Sequence, residues 1–282
     1  SHEINALLII GGYNAYLAAH ELVTERDRYP AFNIPIICVP ASIDNNLPGS
    51  ELSIGADTAL NNAIGALDSI KQSAAASRRC FVAESMGRKC GYLALMSGIA
   101  TGAERVYLNE DGLTLAQLAR DSARMVESFR SGRDLYLVIR NERASENYTL
   151  DVLAKIFAQE GRGLYDVRHA ALGHLQQGGD PSAFDRIMAT KLVAHALDLL
   201  ADQLGAGTHH SSYVGLTGGR ITHRRLERMN DELDLSSRRP LHQWWMGLRE
   251  AISLVSQNIG VIPLEDMPDF SASVNAAASP QD

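Results

Sequence analysis

The residues best equipped for chemistry in this 282-residue chain stand in polar segments that each follow an apolar run. Ser42, Ile43, Asp44, Asn45 and Asn46 place a hydroxyl, a carboxylate and two amides together, between the stiffening Pro40 and Pro48. Such a loop could hold Asp44 as a general base against a substrate hydroxyl, with a surface Asx turn as the alternative. In the segment from Glu84 to Gly91, Gly87 permits close approach to a ligand. Arg88, expected in the first turn of the following helix, supplies positive charge. Arg78 and Arg79 open the run ahead of it. Between Arg168 and Arg186, a strand delivers His174, Leu175, Gln176 and Gln177 into a glycine turn, and Pro181-Ser182 then opens a helix. The pair Gly11-Gly12 is the weakest signal, because a tight strand-to-helix turn accounts for it. Helix N-termini beyond strand ends offer free N–H groups, so these segments could hold a phosphate.

Those segments require strands that end where they begin. Apolar runs at 5–10, 35–39, 79–84, 104–108, 135–140, 167–172 and 212–216 predict strands. Helices are predicted near 14–28, 56–73, 89–100, 114–130, 149–160, 183–204 and 241–257. Leu60, Ala63, Ile64, Leu67 and Ile70 form one apolar stripe; Ile187, Leu192, Ala196 and Leu200 form another. The alternation predicts an α/β fold with mostly parallel sheets. A crossing between lobes is placed near 109–113. Residues 1–262 form the domain, and 263–282 read as a mobile tail. The chain opens almost directly on a strand-like run, which suggests that a segment precedes it.

Composition narrows the partners. With 45% hydrophobic and 21% charged residues the chain is not disordered as a whole. Lys and Arg total 26 against 33 Asp and Glu, a net charge of −7 that leaves no broad basic field for nucleic acid. No apolar stretch approaches the ~20 residues needed to span a bilayer, so no membrane partner is expected and the location is expected to be cytoplasmic. Cys38, Cys80 and Cys90 lack CxxC spacing, so neither a disulfide framework nor a metal site is expected, and Cys38 and Cys80 read as small buried hydrophobes.

Together these motifs resemble the 6-phosphofructokinase family, whose members transfer phosphate from ATP to O1 of fructose 6-phosphate. The similarity runs from about residue 4 to 258, in family order. Ser42 to Asn46 is similar to the Thr-Ile-Asp-Asn-Asp catalytic loop, and Met86-Gly87-Arg88 to the sugar-binding turn. Gly173 to Ser182 resembles the Gly-His-x-Gln-Arg-Gly-Gly-x-Pro-Ser segment, and Ser53 to Asn61 is also characteristic. Gly11 to Tyr16, Arg140 to Thr149 and Gln243-Trp244-Trp245 look like the C-terminal half of the duplicated eukaryotic-type enzyme. That half binds fructose 2,6-bisphosphate as activator and has largely lost catalysis. The resemblance implies a phosphofructokinase-like fold of two lobes with helices on both sheet faces, the nucleotide lobe incomplete. It implies a sugar-phosphate site of Ser42 to Asn46, Arg79, Met86, Gly87, Arg88, Glu142, Arg168, His174 to Gln177, and Arg238. Arg79 and Arg168 would clamp phosphate, one reaching in from another subunit of a homo-oligomer. Arg238 would complete the cationic end, Glu142 would accept bonds from sugar hydroxyls, and His174 would bind the 6-phosphate. Fructose 6-phosphate, fructose 1,6-bisphosphate and fructose 2,6-bisphosphate are the ligands implied.

Three departures from the catalytic pattern bear on function. Tyr13 stands where catalytic members carry the aspartate that serves magnesium, Gln177 replaces an arginine, and the opening nucleotide-binding strands have no counterpart. Phosphoryl transfer depends on electrostatic stabilisation, so these losses weigh against catalysis; the resemblance implies ATP and Mg2+ for the whole enzyme, with neither expected to bind this chain tightly. Asp44 is nevertheless retained, while Asn46 replaces the loop's second aspartate. Two alternatives stay open: a catalytic half completed by a missing segment or partner, and a purely structural half. Pyrophosphate as phosphoryl donor also stays open.

Overall fold

The computed structural model describes residues 4–74, 77–250 and 252. Two four-stranded sheets organise them. The first contains β1 (Leu7–Gly11), β2 (Ile36–Pro40), β7 (Ser212–Thr217) and β8 (Arg220–Arg225), in that order. Its first three strands are parallel; β8 runs antiparallel to β7. The second contains β3 (Arg79–Ser85), β4 (Arg105–Tyr107), β5 (Leu135–Asn141) and β6 (Asp166–Ala171), all parallel, in the order β4-β5-β3-β6. Every residue of β2 is buried, as expected of a continuous apolar strand covered on both faces.

Helices cover both faces of each sheet, as the resemblance implies. On the first sheet, α1 (Tyr13–Thr24) packs Tyr16, Ala19 and Val23 against Ile36 and Cys38. The opposite face takes α6 (Ala183–Ala206) through Met188, Leu192, Ala196 and Leu200. On the second sheet, α2 (Ala56–Ala74) and α3 (Tyr92–Thr101) share one core, while α4 (Leu115–Arg130) and α5 (Leu150–Gly161) share the other. Capping chemistry sets several starts: Thr114 and Gln117 form a reciprocal capping box for α4, and Thr149 caps α5. All three cysteines are buried thiols, and burial pushes Cys38 up to about 12.

Several expectations need correction. The chain changes sheets between β2 and β3 and again between β6 and β7; residues 109–113 join β4 to α4 and cross no lobe boundary. The inward stripe of α6 starts at Met188, whereas Ile187 is 57% exposed, because a helix residue one position away points about 100° aside. The sequence RITHRR was not predicted as a strand, yet it forms β8. The two-residue turn Gly218-Gly219, with both φ angles positive, folds it back on β7. Of the predicted 241–257 helix, the described part forms a 3₁₀ turn at Trp244–Leu248 and is α-helical at 249, 250 and 252, so the helix begins later than expected. The predicted tail, 263–282, lies outside the described residues. Among those described, no helix is long and apolar enough to cross a membrane.

Candidate functional site

Three strand ends bring the best-supported group together. The loop after β2 is locked by its own amides. Asn45 adopts a left-handed φ of 51°, donates from Nδ2 to the Glu51 carbonyl at 2.8 Å, and accepts from the Ser53 N–H through Oδ1 at 2.8 Å. Asn46 accepts from the Ser42 hydroxyl at 3.2 Å and donates to the Arg238 carbonyl at 3.1 Å. Both asparagines are buried, so they position the loop and leave Asp44 as its chemically available member. Ile43 packs against the core shared by α2 and α3.

After β3 the backbone turns sharply. Gly87 has φ of 135°, and a Cβ there would collide with the Cys90 carbonyl oxygen. Arg88 follows at φ 50°, and the Cys90 N–H closes the turn on the Gly87 carbonyl at 2.8 Å. Arg88 therefore stands outside the helix expected to carry it: α3 begins at Tyr92, and the Glu110 carboxylate accepts from Gly91 N–H at its start. The start of α2 is likewise occupied, by Asp185 accepting from the Gly55 and Thr58 N–H groups. Neither helix start is free for the phosphate that strand-end reasoning anticipated.

The end of β5 supplies Glu142, whose Oε1 accepts from the Arg88 N–H at 2.7 Å. Asp44 lies 3.8 Å from Arg88 Nε, and its side chain is only 14% exposed. Burial pushes the Asp44 carboxyl above its ordinary range; Arg88 pulls it down and Glu142 pushes it further up. The result is a carboxylate pair with one solvent-facing guanidinium, arranged to exchange hydrogen bonds with hydroxyls and to offer one cation to an anion.

The segment after β6 is split in its roles. It forms a 3₁₀ turn, Gly173–Gln177, in place of the open glycine turn expected. Gln176 is buried: its Oε1 accepts from Met86 N–H at 2.8 Å and its Nε2 donates to Ser85 Oγ at 3.2 Å. It holds the Met86 turn in place, with both amide poles already engaged. His174 and Gln177 are exposed and meet at 2.8 Å, Nδ1 to Oε1, while Leu175 is 57% exposed.

Arg79 and Arg168 do not join this cluster. Arg79 begins β3, seven residues before Met86 and so roughly 20 Å from it along an extended strand. Its Nη1 donates to Ser73 O at 3.3 Å and its Nε is buried without a partner among the described residues. Arg168 pairs in register with Phe81 on the exposed edge strand β6, and its guanidinium lies 3.1 Å from Asp166. The backbone of Arg238 reaches the Asn46 loop, with φ of 55° and an exposed side chain whose charge acts on Tyr13.

Supporting residues escaped the sequence reading. Arg239 donates to Lys89 O at 2.6 Å and Asn109 Oδ1 at 3.0 Å and pairs with Glu110, bracing the Arg88 turn. Asp185 stands three residues after Ser182, a capping-box spacing that was legible; its carboxylate reaches across to α2. In the turn after β1, Tyr13 is largely buried and neither Gly11 nor Gly12 offers a carboxylate. The oxygen ligands a magnesium ion requires are not supplied there, and that turn does not fit one.

Comparison with known proteins agrees with this fold. The Phosphofructokinase family profile matches residues 1–200. The chain is 46% identical over 267 residues to the ATP-dependent 6-phosphofructokinase of Dictyostelium discoideum, covering 94% of this chain and 32% of that protein. It is 40% identical over 267 residues to the platelet-type ATP-dependent 6-phosphofructokinase of Oryctolagus cuniculus, covering 91% and 34%. The structure of phosphofructokinase from Saccharomyces cerevisiae superposes with a TM-score of 0.86 at 31% identity, over 91% of this chain and 35% of that one. The chain thus spans about a third of the length of the curated relatives it matches. A profile over most of the sequence and a shared fold at these identities make it a member of the phosphofructokinase family.

Proposed function

We propose that this chain is part of a 6-phosphofructokinase of the ATP-dependent kind, and that its Asp44–Arg88–Glu142 cluster binds a fructose bisphosphate as an allosteric effector. The observation that carries the reading is the combination at the strand ends: sugar-directed groups converge, while the adjoining turn holds a buried Tyr13 in place of a metal-binding carboxylate. Glu142 and Asp44 accept from ring hydroxyls, and Arg88 and His174 take phosphate oxygens. Arg79 and Arg168, remote from that cluster and aligned on β3 and the exposed edge strand β6, serve the corresponding site of a second copy in a homo-oligomer. ATP and Mg2+ act elsewhere in the longer enzyme, and this chain alone does not phosphorylate fructose 6-phosphate.

Calorimetric titration with fructose 2,6-bisphosphate tests the reading. Micromolar binding is expected, weakened at least tenfold by Arg88→Ala, a loss of about 1.4 kcal/mol or more. Arg168→Ala is expected to weaken binding only at concentrations where the chain is oligomeric. Undiminished binding in Arg88→Ala would remove the cluster from the effector site. A coupled assay showing fructose 6-phosphate phosphorylation by the chain alone would instead favour a catalytic half, the reading that retention of Asp44 supports.

A further inference from the structure

On the opposite face of the first sheet from α1, two imidazoles meet. His195 is carried by α6 and His223 by β8, 28 residues apart in sequence. His195 Nε2 and His223 Nδ1 are 3.3 Å apart, with ring centroids 5.5 Å apart and ring planes tilted by 37°. Their carriers are fixed. Leu192 and Ala196 of α6 are buried beside His195, and Ile221, on the same face of β8 as His223, packs into that core. His195 is half-buried and His223 exposed, so solvent reaches the pair.

We infer that His195 and His223 form a two-imidazole site for a borderline divalent transition ion, Zn2+ in the first instance. Two nitrogens bound to a tetrahedral zinc at about 2.0–2.1 Å stand roughly 3.3–3.4 Å apart, the separation the protein already imposes on this pair. The proton shared between these two nitrogens moves to the other nitrogen of its own ring by exchange with water, and a small rotation then turns both lone pairs toward a common point on the solvent side, where waters complete the coordination. Imidazole donors select zinc, copper or nickel over magnesium and calcium. Among the described residues no group of three or more His, Cys, Asp or Glu side chains is placed to hold a metal, so the site is bidentate in protein ligands. Its consequence is mechanical. Among the described residues β8 is an edge strand, held by β7 on one side only, and an ion shared with α6 fastens it across the core.

The test is a ZnCl2 titration of the full 282-residue chain after treatment with chelator, followed by calorimetry and thermal melting, with MgCl2 as control. One zinc per chain is expected at micromolar affinity, with a melting temperature higher by about 2–4 °C at saturation. Amide exchange across 220–225 is expected to slow. His195→Gln and His223→Gln, both changes of similar volume, are each expected to weaken binding at least tenfold and abolish the thermal shift. Zinc binding of equal strength in both variants, at histidines elsewhere such as His209 and His210, would overturn the inference. So would the absence of any zinc-induced shift in a chain whose circular dichroism is that of an α/β protein.

Discussion

Asp44 sits where two opposing influences can be weighed. Burial disfavours its ionised form more than the exposed Arg88 guanidinium favours it, and Glu142 adds to the burden, so the folded pKa lies above the ordinary value. A carboxyl raised in this way contributes stability at pH below its unfolded pKa, and that contribution is lost as the pH rises through the folded pKa. Asparagine mimics the protonated state. Asp44→Asn is therefore expected to be more stable than the parent at about pH 7 and indistinguishable from it near about pH 3, which urea midpoints at the two pH values would show. The same variant separates the functional readings. An effector site keeps fructose 2,6-bisphosphate affinity within a few-fold, because asparagine still accepts a hydrogen bond from a hydroxyl, whereas a site using Asp44 as general base loses turnover. Gly87 is less tolerant: Gly87→Ala forces a Cβ against the Cys90 carbonyl at a φ that L-residues avoid. Loss of ligand heat together with a fall in stability of about 1–3 kcal/mol is the expected result, since the strain falls on a turn in which Gly87 and Cys90 are both buried.

Between elements, the two segments that carry the chain from one sheet to the other are laced at their starts. Asp185 at the head of α6 accepts from Gly55 N–H, Thr58 N–H and the Thr58 hydroxyl at the head of α2, while Ser182 Oγ donates to Asp57 at 2.5 Å. Asp185→Ala leaves those donors beside a buried gap, at a cost on the order of 3 kcal/mol. Chemical denaturation should show this loss, and a single transition that splits into two would indicate that the lacing couples the sheets. This lacing also marks what could be read in advance. Strands β2, β3 and β5 are each built on an apolar run of four or five residues and α2 carries an amphipathic stripe, so hydrophobic patterning was enough to locate them. β8, Arg220–Arg225, lies at an edge with much of its surface in water; it is specified by the Gly218-Gly219 turn and by pairing with β7, and its polar sequence carries no periodic signal. The site follows the same division. The strand-end location of Asp44, Arg88 and Glu142 was legible from motif order. The inward turn of Gln176 and the hold of Asn46 on the Arg238 carbonyl depend on partners many residues away, which no local pattern announces.

At the scale of the molecule, α6 is apolar on more sides than its sheet can cover. Its inner stripe is buried, yet Ile187, Leu197 and Leu204 are 57%, 52% and 50% exposed, and Thr190, Ala194 and Ala201 between them are exposed too. These six positions alternate in steps of three and four, which places them on one seam of the helix, with small residues where a second helix could approach closely. His195 meets β8, and Leu197 lies about 200° further round, so the seam turns away from β8 and toward the flank above β1. There, among the described residues, β1 pairs with β2 alone and Ile10 is 54% exposed, leaving a strand edge beside an uncovered helix face. An apolar seam and an open edge favour association of the chain with itself. Sedimentation velocity at micromolar concentration is expected to show dimers or larger species, shifted toward monomer by Leu197→Glu combined with Leu204→Lys. Because both positions face water, the double variant should keep its melting temperature within about 2 °C. A parent chain that stays monomeric at those concentrations would mean that the seam alone does not drive association. A double variant that still assembles would transfer the interface to the β1 edge or to β6, where Arg168 stands.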